Sequence, residues 1–255
     1  MSLQLFDLSG RIALITGSSK GLGYAIAEGL AAAGAEVVLN SRNPHELEET
    51  RERLARGGHK AHAFAFDVTD EQAVEDAVAR IERDIGPIAA LFNNAGIQRR
   101  GPLIDFPLAA WREIMTGDLD QVFIVGRAVA RRMLTRSKGR IVNTCSLTSE
   151  AARTSIAPYT TAKGAVKMLT KAMCVEWAPH GLNVNGIGPG YFKTELNRAL
   201  FENPEFDAWL IKRTPAARWG NVDELKGAAI FLASDASSFV NGQVLYVDGG
   251  LLAGM

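Results

Sequence analysis

Short apolar runs rich in Val and Ile alternate with amphipathic stretches of helical length from the first residues of the chain to the last. Such runs are typical of strands buried on both faces, and helical connections between them favour parallel pairing with right-handed crossovers. The pattern therefore predicts an α/β fold, a single-domain Rossmann-type doubly wound parallel sheet of about seven strands with helices on both faces. No linker, repeat or low-complexity tract interrupts the alternation, so residues 1–255 are expected to form one domain.

The predicted strands are residues 11–16, 36–40, 60–66, 88–93, 139–144, 181–188 and 243–247. The predicted helices are residues 21–33, 44–56, 70–85, 107–115, 119–136, 158–179 and 222–233. Asp70 has the side chain of a helix N-cap, and Gly34 and Gly86 are typical helix stops. The segment at about 191–219 differs, because it carries five Phe and Trp residues among polar ones. We interpret it as a substrate lid, with simple packing of the segment onto the body as the alternative.

Composition excludes several classes of partner. The chain has 28 basic and 28 acidic side chains, hence a net charge of zero, and no basic block, so neither nucleic acid nor an anionic membrane is expected to bind. Two cysteines, Cys145 and Cys174, do not suffice for a disulfide framework and fit a reducing compartment. The N-terminal residues lack a signal-peptide pattern, and no apolar run approaches the ~20 residues that span a bilayer. A cytoplasmic protein is expected.

A glycine-rich turn follows the first predicted strand and reads Thr-Gly-Ser-Ser-Lys-Gly-Leu-Gly over residues 16–23. In a sheet of this kind, ligands bind beyond the carboxyl ends of the strands, where the strand order reverses. Gly17 permits a tight turn, Gly21 lets the backbone approach a pyrophosphate, and Gly23 allows close packing of the helix, whose N-terminus offers free N–H donors. The strand before the turn and the helix after it favour dinucleotide binding over a plain glycine-rich turn.

The end of the second predicted strand indicates which dinucleotide binds. An NAD site needs a carboxylate there for the ribose 2′-hydroxyl, whereas an NADP site needs cations for the 2′-phosphate. The strand ends at Ser41 and Arg42 with no acid, and Lys20 in the first turn points to the same region. Glu46 lies further on, in the following helix. The sequence therefore predicts NADP(H), with Arg42 as a solvated surface arginine being the alternative.

Three residues have the spacing of a proton-transfer site. Ser146 lies just past the fifth predicted strand, and Tyr159 and Lys163 are four residues apart on the following helix, which places their side chains on one face. A nearby ammonium, together with the positive charge of an oxidised nicotinamide, would favour the tyrosinate form. Tyr159 is thus predicted to act as general acid and base, with Ser146 donating a hydrogen bond to the substrate oxygen. The Tyr-x-x-x-Lys spacing is common by chance and gains its meaning from the glycine-rich turn.

Over its whole length, the chain resembles the short-chain dehydrogenase/reductase family. The motifs that carry the resemblance, in the family's order, are the TGxxxGxG turn at 16–23, Asp67-Val68, Asn93-Asn94-Ala95-Gly96, Ser146, Tyr159-x-x-x-Lys163 and Pro189-Gly190. The resemblance implies an oxidoreductase that interconverts a secondary alcohol and a ketone with a nicotinamide cofactor. The alternative is a regulatory protein that binds NADPH without turnover.

The resemblance also implies roles at the cofactor. Asp67 would meet the adenine, Asn94 would stabilise the centre of the sheet, and Lys163 would hold the nicotinamide ribose. Thr194 would reach the nicotinamide carboxamide. The residues expected to contact the cofactor are Gly17, Ser19, Lys20, Gly21, Leu22, Gly23, Ser41, Arg42, Asp67, Val68, Asn94, Ala95, Gly96, Tyr159, Lys163, Pro189, Gly190 and Thr194.

Within the family, four stretches are similar to enzymes that act on sugar acids, namely residues 93–100, 190–195, 212–220 and 237–250. A sugar-acid substrate is therefore expected, with a 3-oxoacyl group as the alternative. Arg99 and Arg100 directly follow the cofactor-lining segment, and Arg153 lies seven residues past Ser146. Each is a candidate to bind the substrate carboxylate in bidentate fashion, and a solvated or inter-subunit arginine is the alternative.

Two positions depart from the family's pattern. The family's fourth catalytic residue is an asparagine in the helix before the fifth strand, and Asp118 aligns with it. A carboxylate lacks the amide donors and adds a charge near Lys163, so the proton relay and the help that Lys163 gives Tyr159 are expected to change. Thr148, two residues past Ser146, stands where the sugar-acid enzymes carry glutamine, so substrate specificity is expected to differ.

Assembly and metal binding are also addressed by the sequence. The resemblance implies a homotetramer formed through the long helices and through the last helix and strand. The apolar runs at 227–233 and 244–247 support it, because a monomer would expose an edge strand. The four histidines are scattered without carboxylate or cysteine companions, so no metal site is predicted.

Overall fold

The computed structural model describes residues 2–254 and contains a seven-stranded parallel sheet. Its strands are β1 (Ile12–Ile15), β2 (Glu36–Ser41), β3 (Ala61–Ala65), β4 (Ile88–Asn93), β5 (Gly139–Thr144), β6 (Leu182–Pro189) and β7 (Val244–Val247). They lie in the order β3-β2-β1-β4-β5-β6-β7, so the direction of winding reverses between β1 and β4. The predicted doubly wound parallel sheet is confirmed.

Helices cover both faces of the sheet. They are α1 (Gly21–Ala32), α2 (Pro44–Arg56), α3 (Glu71–Asp84), α4 (Leu108–Met115), α5 (Gln121–Thr135), α6 (Ala157–Trp177), α7 (Arg198–Phe201), α8 (Pro204–Arg213) and α9 (Lys226–Ala233). Alternate residues of β1 enter different cores: Ala13 and Ile15 pack with α1, α2 and α9, while Leu14 packs with α3, α5 and α6. Burial on both faces explains why the strands read as continuous apolar runs.

The boundaries of the predicted helices agree with the structure to within two residues, except at the start of the last helix. The helix predicted over 119–136 starts at Gln121, because Thr116–Asp120 forms a π-helical turn between α4 and α5. The helix predicted over 222–233 begins with a 3₁₀ turn at Val222–Leu225, followed by α9. The predicted N-cap is confirmed, since Asp70 Oδ1 accepts a hydrogen bond of 3.0 Å from the backbone N–H of Ala73.

The segment between β6 and α9 folds back on the body through its aromatic residues. Trp219, which is 6% exposed, stacks edge-on with Tyr191 at 5.8 Å and with Phe201 at 5.9 Å between ring centroids. Its indole N–H donates to Asp207 Oδ1 at 2.6 Å. The same cluster includes Leu147, directly after Ser146, so α7 and α8 are attached next to the carboxyl ends of the strands. In residues 2–254, none of the helices combines the length and apolar character needed to cross a membrane.

Candidate active site

A cleft of about 1070 Å³ opens at the carboxyl ends of the strands, where the winding reverses. This is the position at which open α/β sheets bind their ligands. Its lining includes every residue that the sequence predicts to contact the cofactor, together with Ser146, Asp118, Arg100 and Arg153. Arg99 is absent from the lining. Residues far apart in the chain, from Gly17 to Leu200, are thus brought to one site.

The glycine-rich turn begins the cleft, and its glycines are required by the backbone. Gly17 and Gly21 have φ of +61° and +59°, a region that favours glycine. At Gly21 a Cβ atom would meet nothing within 4 Å, which leaves the backbone open to a ligand, whereas at Gly23 it would lie 2.5 Å from Asn94 Nδ2. That amide donates to the main-chain oxygens of Thr16 and Gly17, both at 3.0 Å. Asn94 therefore braces the turn from the end of β4.

Thr16 joins the two strands at the point of reversal. Its Oγ1 accepts hydrogen bonds from the backbone N–H groups of Asn94 at 2.9 Å and Ala95 at 3.0 Å. From the other side, Gln121 Nε2 donates to the oxygen of Ala95 at 2.9 Å. Sequence reasoning did not assign this role to Thr16 or Gln121, because it depends on strands 76 residues apart becoming neighbours.

At the far end of the cleft, an acid occupies the region for which the sequence predicted cations only. Glu46, in the first turn of α2, lies with Oε1 3.1 Å from Lys20 Nζ, and its Oε2 accepts a hydrogen bond of 3.1 Å from Ser19 Oγ. Arg42 is exposed and lines the same end of the cleft. The sequence placed Glu46 further along the helix, yet the turn before α2 returns its side chain to the glycine-rich turn.

Asp67 follows β3 and is held as a carboxylate. Its Oδ1 accepts from Thr69 N at 2.9 Å and from Thr69 Oγ1 at 2.7 Å. Burial raises the pKa of Asp67, but these hydrogen bonds and the charge of Arg42 outweigh burial, and the pKa falls below its usual value. Asp67 therefore presents an ionised acceptor to the cleft.

Tyr159 and Lys163 lie one turn apart on α6, as their spacing predicts. Lys163 is 3% exposed, its Nζ lies 5.6 Å from the centroid of the Tyr159 ring, and it donates to the main-chain oxygen of Thr144 at 2.9 Å. Ser149 ties the end of β5 to this helix, since its Oγ accepts from Ser146 N at 3.2 Å and donates to Lys163 O at 2.8 Å. The Lys163 side chain and the helix that carries Tyr159 are thus attached to the end of β5, two residues before Ser146.

Ser146 lines the cleft with its hydroxyl group. It caps the 3₁₀ turn Leu147–Ser149, and its Oγ accepts hydrogen bonds from Thr148 N at 3.2 Å and from Thr148 Oγ1 at 3.1 Å. A hydroxyl carries one donor and two acceptor positions, so the donor remains. Among residues 2–254, no acceptor takes it. Ser146 can therefore donate to a substrate oxygen.

Asp118 is fully buried in the π-helical turn, close to the same lysine. Its Oδ1 accepts from the Ile97 N–H at 2.9 Å, while Oδ2 has no partner in the described part of the chain. A Cβ atom on Gly96 would lie 2.5 Å from Asp118 Oδ1 and 3.9 Å from Lys163 Nζ. Burial raises the pKa of Asp118, and the charge of Lys163 and the Ile97 hydrogen bond only partly oppose it.

Two arginines converge on the wall of the cleft near Ser146. Arg153 donates to Tyr191 Oη at 3.0 Å and lies with its guanidinium 4.5 Å from the centroid of the Phe206 ring, while Arg100 donates to Gln98 Oε1 at 3.0 Å. Burial lowers the pKa of Arg100, and the charge of Arg153 lowers it further, although Tyr191 opposes the effect. Within residues 2–254, no carboxylate forms a salt bridge with either. The pair forms a positive wall suited to an anion.

Arg99 is the candidate substrate residue that the structure does not bring to the cleft. Its Nε and Nη2 donate to the two carboxylate oxygens of Glu113 at 3.2 and 2.9 Å, and its side chain is 59% exposed. This bidentate pair occupies the guanidinium with Glu113, a residue that itself lines the cleft, so Arg99 is not free to bind a substrate carboxylate.

The fold and the site define a class of protein, and the chain belongs to the short-chain dehydrogenase/reductase family. A family model described as Enoyl-(Acyl carrier protein) reductase matches residues 17–252. The chain is 58% identical over 247 residues to the gluconate 5-dehydrogenase of Gluconobacter oxydans (strain 621H), covering 97% of this chain and 96% of that protein. It is 51% identical over 248 residues to the 5-keto-D-gluconate 5-reductase of Escherichia coli (strain K12), covering 97% and 98% respectively.

A solved structure agrees with these relatives. The gluconate 5-dehydrogenase from Burkholderia cenocepacia J2315, crystallised in complex with NADP and tartrate, is 53% identical and superposes with a TM-score of 0.98 over 100% of both chains. A 3-oxoacyl (acyl-carrier-protein) reductase from Agrobacterium tumefaciens C58 with NADP bound has the lower identity of 31% and a TM-score of 0.90. The likeness is therefore greater to the gluconate enzymes than to this acyl reductase.

Proposed function

We propose that this protein is an NADP(H)-dependent oxidoreductase that interconverts D-gluconate and 5-keto-D-gluconate. The observation that carries the proposal is that one cleft contains the glycine-rich turn, the group of Ser146, Tyr159 and Lys163, and two arginines. The arginines, Arg100 and Arg153, form no salt bridge within the described residues. The high identity to gluconate 5-dehydrogenase and 5-keto-D-gluconate 5-reductase over nearly the whole chain supports the substrate.

The described residues fit NADP(H). Gly21 leaves open backbone at the N-terminus of α1 for the pyrophosphate, and the Lys20 and Arg42 side chains would meet the 2′-phosphate. Asp67 would accept from the adenine amino group, and Thr194 would face the nicotinamide carboxamide. When bound, the cofactor supplies or accepts the hydride at the carbinol carbon of the substrate.

The residues of this chain manage the proton and the developing charge. In the reducing direction, the Tyr159 hydroxyl gives its proton to the ketone oxygen as that oxygen gains negative charge, and Ser146 donates a hydrogen bond to the same oxygen. In the oxidising direction, the tyrosinate takes the proton of the substrate hydroxyl. Lys163 is buried with its Nζ 5.6 Å from the centroid of the Tyr159 ring, where it would hold the nicotinamide ribose.

Arg100 and Arg153 would bind the substrate carboxylate. Neither forms a salt bridge within the described chain, the two guanidinium charges act on each other, and both residues line the same cleft as Ser146. A carboxylate between them would relieve the repulsion between the two guanidinium groups. Thr148, which already contacts Ser146 Oγ, would face a substrate hydroxyl. Arg99 is left out of this proposal because Glu113 holds it.

The segment at about 191–219 would serve as the lid over the substrate. Tyr191 and Phe206 both contact Arg153, so the segment packs directly against one of the two arginines proposed to bind the carboxylate. Closure of such a segment excludes water from the reacting atoms, which strengthens the charge interactions there.

A substrate panel tests the proposed activity. Purified protein with NADPH is expected to reduce 5-keto-D-gluconate with a kcat/KM at least about a hundredfold above that for a 3-oxoacyl thioester, since the arginine wall recognises a carboxylate. The same assay with other keto sugar acids would show where 5-keto-D-gluconate ranks among them by kcat/KM. A preference for the thioester would contradict the proposal.

We also propose a cytoplasmic homotetramer. Met168 and Val175 on α6 are 60% and 76% exposed, Phe123 on α5 is 45% exposed, and β7 is an edge strand with Leu245 turned outward. Covering this apolar surface in a symmetric assembly would stabilise it. The reducing environment of the cytoplasm is supported by the free thiols of Cys145 and Cys174. Sedimentation equilibrium at micromolar protein is expected to give four times the chain mass, and a monomeric mass would contradict the assembly.

A further inference from the structure

Glu46 contacts the two residues of the glycine-rich turn that face the adenosine end of the cleft. One carboxylate oxygen lies 3.1 Å from Lys20 Nζ, and the other accepts a hydrogen bond of 3.1 Å from Ser19 Oγ. All three side chains line the cleft. An anion of the protein therefore occupies donors that the 2′-phosphate of NADP(H) would also seek.

The position of Glu46 is fixed by the fold. Asn43 caps α2 and accepts from the Glu46 N–H at 3.3 Å. One turn on, the buried Thr50 hydroxyl donates to the main-chain oxygen of Ser19 at 2.8 Å and to the main-chain oxygen of Glu46 at 3.0 Å. These hydrogen bonds attach the first turn of α2 to the glycine-rich turn. The attachment places the Glu46 carboxylate beside Lys20.

The two dinucleotides meet this carboxylate differently. A 2′-phosphate carries close to two negative charges, so it is repelled by Glu46 and has to draw Lys20 away from it. A ribose hydroxyl is neutral and can donate a hydrogen bond to a carboxylate, as in NAD sites. Arg42 lies at the same end of the cleft and favours the phosphate. The charges of Arg42 and Glu46 therefore act in opposite directions on the choice of cofactor.

We infer that Glu46 is a residue that determines cofactor specificity, because it competes with the 2′-phosphate for Lys20 and Ser19 and so narrows the preference for NADP(H) over NAD(H). The inference rests on the proposed binding of a dinucleotide in this cleft. The inference predicts that the protein binds NADP(H) less tightly than Lys20 and Arg42 would bind it without the charge of Glu46. It also predicts that the protein retains measurable affinity for NAD(H).

Dissociation constants of NADPH and NADH, measured by fluorescence titration of the full chain at constant ionic strength, test the inference without turnover. Glu46→Gln is expected to tighten NADPH about three- to tenfold, since a partly exposed charge is removed at contact distance, and to leave NADH unchanged or weaker. The matched control is Glu48→Gln, which makes the same change of net charge two residues away on α2, where Glu48 pairs with Arg51 at 2.6 Å. The control is expected to bind both dinucleotides like the unmodified protein.

A double variant tests the proposed competition. In a Lys20→Met background, Glu46→Gln is expected to tighten NADPH by less than it does alone, because the shared cation is gone. Unchanged or weaker NADPH binding by Glu46→Gln would overturn the inference, and so would equal tightening of NADPH and NADH. If the unmodified protein binds neither dinucleotide, the proposed function fails and the inference fails with it, whereas tight NADPH binding unaffected by Glu46→Gln overturns the inference alone.

Discussion

Lys163 lies beside Tyr159 with its Nζ 5.6 Å from the centroid of the phenol ring, and a 2.9 Å hydrogen bond to the oxygen of Thr144 holds it there. This arrangement keeps a buried amine beside the phenol ring whose hydroxyl would exchange a proton with the substrate. Asp118 adds a carboxyl group to the same buried region. The balance between Lys163 and Asp118 should therefore control the pH range in which the enzyme works.

Replacing Asp118 with asparagine should shift the pH dependence of oxidation. Burial raises the pKa of Asp118, with Lys163 and the Ile97 N–H opposing, and above that pKa Asp118 places a negative charge near Lys163 in the proton-transfer site. In Asp118→Asn that charge is gone, so the acid limb of kcat/KM for gluconate oxidation should move to lower pH by about one unit. The measurement is a pH–rate profile with saturating NADP.

Asp120→Asn is the matched control, because Asp120 lies in the same π-helical turn but is exposed, and its Oδ2 accepts a hydrogen bond of 3.2 Å from Thr116 Oγ1. Its profile should overlay that of the unmodified enzyme. Identical profiles for Asp118→Asn and the unmodified enzyme, or a shift to higher pH, would show that Asp118 does not oppose Lys163.

Asp118 should also make stability depend on pH. An acid whose pKa is raised on folding stabilises the fold fully below its unfolded pKa, and that contribution is lost as the pH rises through the folded pKa. The ordinary pKa is 3.8 and the folded one is higher, so the melting temperature of Asp118→Asn should exceed that of the unmodified protein above this range. Each kcal/mol corresponds to about 2–4 °C in a chain of this size. Thermal melts across pH measure the difference, which should shrink toward acid; a constant difference would contradict it.

Replacing Arg153 should weaken substrate binding and leave cofactor binding unchanged. Arg153→Met removes one of two cations near Ser146 and should raise KM for gluconate about ten- to hundredfold, the cost of one charge-assisted contact. The dissociation constant of NADPH should stay the same. Arg99→Met is the comparison, since Glu113 engages that guanidinium and Arg99 is absent from the cleft lining, and it should raise KM far less. Equal effects of the two substitutions would contradict the assignment.

The architecture could be predicted from sequence because its signals are local and repeated. The apolar run of β1 is followed at once by the glycine-rich turn, and β2 to β6 are each followed by helical segments, some with a clear cap or stop such as Asp70 or Gly86. Parallel strands with right-handed crossovers leave few topologies. The spacing of Tyr159 and Lys163 similarly fixes their common helix face.

Contacts between distant side chains could not be predicted. The pairing of Lys20 with Glu46 depends on the angle at which α2 leaves β2, and that of Arg99 with Glu113 depends on how α4 lies against the loop after β4. The π-helical turn that buries Asp118 likewise lies where the sequence predicted a break between two helices, and it joins α4 to α5 without a gap. Sequence periodicity contains none of this information.

The most direct test of the central claim is NADPH consumption with 5-keto-D-gluconate by the unmodified protein and by Tyr159→Phe, followed by the absorbance of the reduced nicotinamide. The unmodified protein should consume NADPH and form gluconate, while Tyr159→Phe should lose about 10²–10⁴-fold in kcat, the range typical of a general acid, with NADPH still bound. No consumption by the unmodified protein, or equal rates for the two proteins, would contradict the account.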